Sequence, residues 1–275
     1  MDAKYSGKVC VVTGAASGIG RAMAIDLANQ GAILALSDVN EAGLNETREL
    51  IGDKGSNQIR VDVLDVADAD AVSAYAETVK ESLGDADYVM NIAGLTRIGT
   101  FEETSLESFE KVMDVNFWGV VRMSKAFLPQ LVATKGALVN ISSVFGLIGF
   151  EGQSHYCASK FAVRGFSETI AAELEEKGVR VVSVHPGGVA TNIARNAQVD
   201  KMPDGQEKGD FEQRFDEVAK TTPADAAQTI LNGAAAGKRR VLIGGDARFI
   251  SFVQRLFPTN YFRIIRNFFG AEASS

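Results

Sequence analysis

Tyr156 and Lys160 lie four residues apart, in a stretch where the sequence predicts a helix over residues 154–177. Residues at this spacing share one helix face, so we expect the phenol and the ammonium group to lie close together. The unperturbed pKa of a tyrosine is about 10, and a neighbouring cation lowers it by favouring the phenolate. The pair is therefore a candidate proton-transfer group. The spacing alone is equally compatible with a structural role, since long amphipathic side chains commonly lie along helix surfaces.

A glycine-rich turn follows the first predicted strand. Residues 8–13 form a short, apolar, β-branched run typical of a buried strand, and a helical pattern begins after the turn and ends near Gly31. In this arrangement a backbone can approach a pyrophosphate, and the helix N-terminus can bind it. The spacing is Gly-x-x-x-Gly-x-Gly rather than Gly-x-Gly-x-x-Gly, and tight turns also require glycine. The residues predicted to bind a dinucleotide here are Gly14, Ser17, Gly18, Ile19 and Gly20.

Asp38 ends the next apolar run, residues 33–38, and follows Gly20 by 18 residues. A carboxylate at this distance is expected to accept hydrogen bonds from the adenosine 2′-OH and to repel a 2′-phosphate. Arg21, in the first turn of the preceding helix, is the nearby cation. We therefore expect NAD rather than NADP. The alternative for Asp38 is a turn residue or a helix N-cap.

Composition narrows the class of protein. The chain has 275 residues, 46% of them hydrophobic, which suffices for one large α/β core. Its net charge of −7 argues against nucleic acid as a partner. Two cysteines that are far apart in sequence argue against a disulfide framework, and with only two histidines they also argue against a metal site. With no basic–apolar signal sequence and no apolar run of about 20 residues, we expect a cytoplasmic protein.

Strands and helices alternate along the first 190 residues. Further strands are predicted at 58–63, 87–91, 137–143, 179–185 and 240–243, and helices at 67–83 and at 106–134, the latter as one long helix or a broken pair. This alternation predicts a parallel sheet with helices on both faces. Ligands of such sheets bind at the carboxyl ends of the strands. The residues predicted at those ends are Asp38, Asp62, Asn91, Ser143 and Pro186.

Together the motifs resemble those of the short-chain dehydrogenase/reductase family. They are Thr13-Gly14-x-x-x-Gly18-x-Gly20, Asn91-x-Ala93-Gly94, Asn116, Ser143 thirteen residues before Tyr156, Tyr156-x-x-x-Lys160 and Pro186-Gly187. The resemblance covers about residues 5–245 and implies a Rossmann-type, doubly wound sheet of about seven parallel strands in one domain, 1–246. It also implies a homodimer or homotetramer. Ile92 stands where many members carry a second Asn, and we expect only a local effect.

The resemblance also implies roles for individual residues. Tyr156 takes the substrate hydroxyl proton in oxidation and returns it in reduction, while Lys160 lowers the phenol pKa and binds the nicotinamide ribose. Ser143 bonds the substrate oxygen, or caps the next segment. Asn116 holds the helix and an ordered water that links Lys160 to solvent, or faces solvent itself. The further cofactor contacts implied are Asp62 and Val63 at the adenine, Asn91, Ala93 and Gly94 along the cofactor, and Pro186, Gly187, Val189 and Thr191 at the nicotinamide.

The segment after Ser143 is apolar and indicates a small hydrophobic alcohol or ketone as substrate, although ordinary core packing explains it equally well. Phe145, Phe150 and Ile193 are the candidate substrate contacts. Residues 192–222 read as a mobile, partly helical lid. The additional apolar side chains that could form pocket walls there are Met202, Phe211 and Phe215.

The last segment, 247–275, carries aromatic and aliphatic residues at helical spacing on both sides of Pro258, with arginines between them. A basic amphipathic helix pair of this kind can lie in a membrane interface, giving peripheral membrane-surface contact. It can equally cover a subunit interface, its own chain or the pocket mouth.

The sequence therefore predicts an NAD-dependent oxidoreductase that interconverts a hydrophobic secondary alcohol and its ketone, or an alcohol and its aldehyde. One alternative is an NADP-linked ketone or 3-oxoacyl reductase. An alternative of another class is a non-catalytic dinucleotide-binding scaffold or sensor.

Overall fold

The computed structural model describes residues 4–52, 58–191, 193, 195–200, 209, 213 and 217–270, with the backbone alone for 266–270. Met202, Phe211 and Phe215, the predicted pocket walls of the lid segment, lie outside the described residues.

Seven parallel strands form the central sheet, in the order β3-β2-β1-β4-β6-β7-β9. Their bounds are β1 Val9–Thr13, β2 Ile33–Asp38, β3 Ile59–Val63, β4 Tyr88–Asn91, β6 Ala137–Ile141, β7 Arg180–Pro186 and β9 Arg240–Ile243. The chain starts at β1, winds outward to β3, and then returns to β4 and continues to the other edge. This reversal confirms the predicted doubly wound, Rossmann-type sheet.

Helices cover both faces of the sheet. Their bounds are α1 Gly18–Asn29, α2 Glu41–Ile51, α3 Ala69–Leu83, α4 Leu106–Met113, α5 Gly119–Thr134, α6 Ser154–Glu173, α7 Pro223–Ala235, α8 Gly245–Leu256 and α9 Tyr261–Gly270. A π-helical turn, Asp114–Trp118, joins α4 to α5. The segment predicted as a helix at 106–134 is therefore helical throughout, with α-helical geometry on both sides of this turn. The prediction for α3 started two residues early because the Asp68 side chain caps the helix, accepting from the N–H groups of Asp70 and Ala71.

The core has two layers because alternate residues of a strand point to opposite faces. Cys10 and Val12 of β1 pack under α1 and α7, whereas Val9 and Val11 pack under α3 and α5. Every residue of β1 and β6 is buried, as expected for central strands covered on both sides. The carboxyl ends of these strands are therefore held in fixed positions.

The sequence did not predict one feature of the fold, a small second sheet, and it predicted another, the C-terminal helix pair, only in part. A second, two-stranded parallel sheet pairs β5, Arg97–Ile98, with β8, Gln198–Val199. The C-terminal helices α8 and α9 form a hairpin whose inner face packs on the segment that follows β6. The predicted tail boundary at 247 falls inside α8, which begins at Gly245. Within the described part of the chain, no helix is long and apolar enough to cross a bilayer.

Candidate active site

The glycine turn between β1 and α1 lies against the turn that follows β4. Gly14 has a positive φ of 70°, and a Cβ atom there would lie 2.8 Å from the Ala93 amide nitrogen. The Thr13 hydroxyl oxygen accepts from the N–H groups of Ile92 and Ala93, at 3.0 and 3.1 Å. A side chain larger than hydrogen at position 14 would therefore separate these two turns.

The start of α1 lies directly over the glycine turn. A Cβ atom on Gly20 would lie 2.1 Å from the Gly14 carbonyl oxygen, so the helix approaches as closely as glycine permits. Ser17 is the N-cap, but its side chain makes no capping hydrogen bond. The first N–H groups of α1 are thus left for another acceptor, as a pyrophosphate site at a helix N-terminus requires.

Asp38 lies at the carboxyl end of β2, beside the glycine turn. One carboxylate oxygen accepts from the Ala16 N–H at 3.1 Å, and the other accepts from the Asn40 N–H at 3.0 Å. The N-cap of α2 is Asn40, whose side chain accepts from Gly43 at 3.1 Å. The alternative interpretation of Asp38 as a helix cap is therefore wrong. Its hydrogen bonds to Ala16 and Asn40 hold the carboxylate beside the glycine turn.

Arg21 pairs with residues other than Asp38. Its guanidinium group pairs with Glu46 at 2.7 Å, donates to the Thr47 hydroxyl at 3.0 Å and donates to the Ala16 carbonyl oxygen. The guanidinium charge of Arg21 is thus paired with Glu46 of α2 and not with Asp38.

Asp62 and Val63 lie at the carboxyl end of β3, next to Asp38. One Asp62 oxygen pairs with Arg60, and Oδ2 is buried without a hydrogen-bond partner among the described residues. Val63 is 59% exposed, an unusual state for an apolar strand residue. An orphaned acceptor and an exposed apolar side chain fit an adenine ring, and with the glycine turn they fit a dinucleotide.

Tyr156 and Lys160 lie in the first two turns of α6. The Lys160 ammonium nitrogen is 5.5 Å from the centre of the Tyr156 ring and donates to the Ile141 carbonyl oxygen at 3.0 Å. Ser142 donates to the Lys160 carbonyl oxygen at 2.8 Å. The structure therefore brings the pair together and fixes it to the end of β6.

Burial dominates the electrostatics of this pair. It raises the pKa of Tyr156 to about 12, and a hydrogen bond with the Ser143 side chain acts in the opposite direction. Burial also lowers the pKa of Lys160 to about 8. Burial thus sets the direction of the Tyr156 pKa in this structure, and the lowering of that pKa by Lys160 stays a prediction.

Ser143 has two roles in the structure. Its hydroxyl oxygen accepts from the Phe145 N–H at 3.1 Å and so caps the short 3₁₀ turn Val144–Gly146, as the second interpretation predicted. The same hydroxyl interacts with the Tyr156 phenol. A substrate oxygen beside that phenol would thus be within reach of a second hydrogen-bond donor.

Asn116 is fully buried in the π-helical turn, so the solvent-facing alternative is wrong. Its amide nitrogen donates to the Leu95 carbonyl oxygen at 2.9 Å and to the Ser159 hydroxyl at 3.1 Å, while its oxygen accepts from the Leu95 N–H at 2.8 Å. Gly94 is adjacent, since a Cβ atom there would lie 3.2 Å from the Asn116 side-chain oxygen and 3.5 Å from the Lys160 nitrogen. Asn116 thus joins the turn after β4 to the helix that carries Tyr156.

The Asn91 side chain does not reach the cofactor edge. It is buried and donates to Asn140 of β6 at 2.8 Å, and Asn140 donates to Ser167 of α6 at 3.0 Å. The expectation that Asn91 packs along the cofactor is therefore corrected for its side chain, which instead connects β4 and β6 to α6.

The predicted nicotinamide residues form one strand-end loop. Pro186 is the buried last residue of β7, and Val189 is buried and bridged to Thr221. A Cβ atom on Gly187 would lie 2.1 Å from the Asp246 carboxylate, and one on Gly18 would lie 3.1 Å from the Thr191 methyl group. The loop after β7 therefore lies against the glycine turn.

Aromatic rings adjoin Tyr156. Phe145 stacks on Phe150, with ring centres 4.8 Å apart, and meets the Tyr156 ring edge-on at 6.2 Å. Phe150 is 48% exposed. Ile193, the third candidate substrate contact, is half-buried.

His185 and Asp246 were missed by the sequence analysis. The His185 ring lies 3.1 Å from the Ser143 carbonyl oxygen through Nδ1 and 3.0 Å from the Ser183 hydroxyl through Nε2. A carbonyl oxygen only accepts, so Nδ1 carries the proton. Asp246 accepts from the Gly188 N–H at 2.7 Å. His185 precedes Pro186 at the carboxyl end of a predicted strand, and this position could have indicated a site residue. The Asp246 contact joins parts of the chain that are distant in sequence, so no local pattern predicts it.

Known proteins are similar to this chain in sequence and in fold. The model of the short chain dehydrogenase family matches residues 8–202. A Mycobacterium tuberculosis (strain ATCC 25618 / H37Rv) protein named as an oxidoreductase, SadH, is 44% identical over 265 residues, 95% of each chain. A short chain dehydrogenase/reductase from Burkholderia phymatum, solved in complex with NAD, has a TM-score of 0.83 at 27% identity, covering 92% of this chain and 94% of its own. An alcohol dehydrogenase from the archaeon Thermococcus sibiricus, complexed with 5-hydroxy-NADP, has a TM-score of 0.73 at 29% identity, covering 86% and 95%.

The buried His185 ring predicts an acid-sensitive stability. Burial lowers its pKa from 6.5 to about 4, so the unfolded chain binds more protons between these values and stability is lost as pH falls through this window. The full loss is on the order of 3 kcal/mol. We expect urea unfolding to show a steeper decline from pH 6.5 to 4 in the wild type than in His185→Asn. Parallel declines would contradict this role for His185.

Proposed function

The chain belongs to the short-chain dehydrogenase family, and from that premise we propose that it interconverts an apolar secondary alcohol and its ketone with NAD. The observation that carries the proposal is the meeting of Tyr156, Lys160 and Ser143 at the same sheet edge as the glycine turn and Asp38. A proton-transfer group and a dinucleotide cradle at one edge are what hydride transfer requires. When bound, the nicotinamide supplies the hydride acceptor or donor.

Tyr156 moves the proton. Its phenol is protonated at neutral pH, as an ordinary tyrosine is, and burial raises its pKa further, so it is ready to donate to a ketone oxygen in reduction. In oxidation the phenol oxygen must first lose its proton, and we therefore expect alcohol oxidation to accelerate as pH rises. The Lys160 ammonium group stabilises the phenolate, and the Ser143 hydroxyl holds the substrate oxygen. Asn116 acts through the α6 backbone, since its partner Ser159 donates to the Tyr156 carbonyl oxygen at 2.7 Å.

Asp38 and Arg21 support NAD as the cofactor. The carboxylate lies beside the glycine turn, where we expect the adenosine ribose, and the guanidinium group of Arg21 is paired with Glu46. A 2′-phosphate would approach a negative charge without gaining a free cation. The alternative, an NADP-linked ketone or 3-oxoacyl reductase, requires the opposite preference.

An apolar substrate is supported by the stacked rings beside Tyr156. Phe145 and Phe150 present aromatic surface next to the phenol, and part of Phe150 is exposed. Tyr261 of α9 holds this segment, because its hydroxyl oxygen accepts from the Gly149 N–H at 3.1 Å. The C-terminal hairpin therefore positions the wall of the proposed substrate site. We also expect the homo-oligomer that the family resemblance implies, which light scattering would measure.

Replacement of the catalytic phenol gives the first test. Tyr156→Phe should abolish NAD reduction by a panel of secondary alcohols, from short aliphatic to steroid, because no group remains to take the proton. NAD binding, followed by protein fluorescence quenching, should persist. The control is Tyr88→Phe, which removes a hydroxyl that bonds Arg180 away from the site. NAD binding by the wild type without turnover of any alcohol or ketone would favour the scaffold or sensor.

Cofactor preference tests Asp38. Asp38→Ala should raise KM for NAD by about tenfold and narrow the NAD-to-NADP ratio of kcat/KM, since charge-assisted hydrogen bonds to the ribose and repulsion of a phosphate are both removed. Asp85→Ala, at an exposed carboxylate before β4, is the matched control. An unchanged ratio in Asp38→Ala would refute the ribose role, and a wild-type preference for NADP would favour the alternative reductase.

Removal of one hydroxyl tests the substrate wall. Tyr261→Phe leaves the Gly149 N–H without its acceptor, so the Phe150 segment should loosen and KM for steroid-sized alcohols should rise about fivefold. KM for a short alcohol should stay within about twofold. Tyr88→Phe again serves as the control. Equal changes for large and small alcohols would show that Tyr261 acts on the fold as a whole rather than on this wall.

A further inference from the structure

The C-terminal hairpin of α8 and α9 is anchored by its inner face. Ala247, Ile250 and Val253 of α8 and Ile265 of α9 are buried against the segment that follows β6. Tyr261 adds a hydrogen bond to Gly149 of that segment. The orientation of the hairpin on the domain is therefore fixed, and its opposite face points away from the core.

That outer face is apolar where a monomer's surface is normally polar. Phe252 and Leu256 are 61% and 55% exposed and lie four residues apart on α8. Phe257, in the connecting turn, is 47% exposed, and Phe262, in the first turn of α9, is 43% exposed. Four large apolar side chains thus cluster around the tip of one hairpin, which marks an interaction surface rather than scattered exposure.

Positive charge surrounds these side chains. Arg248 and Arg255 are exposed on the same face of α8 as Phe252, and Arg263 is exposed on α9. Residues 245–270 contain four arginines and one acid, Asp246, a formal charge of 4 − 1 = +3 in a chain whose net charge is −7. Asp246 is itself bonded to the loop after β7. The tip of the hairpin is therefore a basic and aromatic surface patch on a protein whose net charge is negative.

We propose that this hairpin tip is a docking surface for an anionic lipid bilayer. Phenylalanine and leucine side chains enter the boundary between headgroups and acyl chains, while arginines bind anionic headgroups. A second copy of the chain fits less well, because a two-fold contact would set each basic patch against its own copy. A lipid surface complements both the charge and the aromatic residues.

Vesicle flotation of the full chain tests the proposal. The wild type should float with vesicles of equal parts phosphatidylglycerol and phosphatidylcholine and remain in solution with phosphatidylcholine alone. The partition coefficient should fall about tenfold in Phe252→Ser/Phe257→Ser and likewise in Arg248→Gln/Arg255→Gln/Arg263→Gln. The control is Phe101→Ser, which changes an equally large side chain, 76% exposed, outside the hairpin and should leave the partition unchanged. All substituted residues are exposed, so thermal unfolding should match that of the wild type.

Two outcomes would overturn the proposal. The wild type could stay in solution with both vesicles, or the two hairpin variants could float as well as the wild type. If the wild type stays in solution and the hairpin variants also lower the mass measured by light scattering, the surface is assigned to a subunit interface.

Discussion

The buried ammonium group of Lys160 fixes α6 to the sheet. It donates to the Ile141 carbonyl oxygen at the end of β6, and Ser142 bonds back to the Lys160 carbonyl oxygen. A buried cation with its pKa lowered to about 8 is costly for the fold. An apolar residue would fill the same position at lower cost, so the retained charge is best explained by the phenol one helical turn away.

The position of that phenol depends on hydrogen bonds from the ends of β6 and β7 and from the π-helical turn. His185 at the end of β7 holds the Ser143 carbonyl, and the Ser143 hydroxyl in turn meets Tyr156. Asn116 holds α6 from the opposite side through Ser159. Because these groups are buried, each lost partner would leave an unsatisfied polar atom, which makes the arrangement rigid. Rigid placement suits a proton transfer that needs hydrogen-bond distance in both directions.

Residues whose roles depend on local spacing could be predicted from the sequence, and those that depend on distant contacts could not. Alternation predicted the doubly wound sheet, and spacing placed Asp38 beside the glycine turn. Nothing local distinguishes an Asn116 that faces solvent from one bonded to Leu95, since the outcome depends on the π-helical turn. The Asn91 side chain was misplaced because its partner, Asn140, lies on another strand. The strands β5 and β8 are two residues long, too short for any periodic pattern.

The two faces of the C-terminal hairpin link its proposed surface to the proposed substrate. Its inner face supports the segment of Phe145 and Phe150, and its outer face carries the aromatic residues and arginines. A net charge of −7 repels an anionic bilayer, but charges beyond a Debye length of about 10 Å are screened, so the nearest residues decide the approach. The basic tip of the proposed surface lowers the energy of contact, so we expect the protein to approach in the orientation that presents this tip. In that orientation the substrate wall adjoins the surface in which apolar alcohols and ketones dissolve.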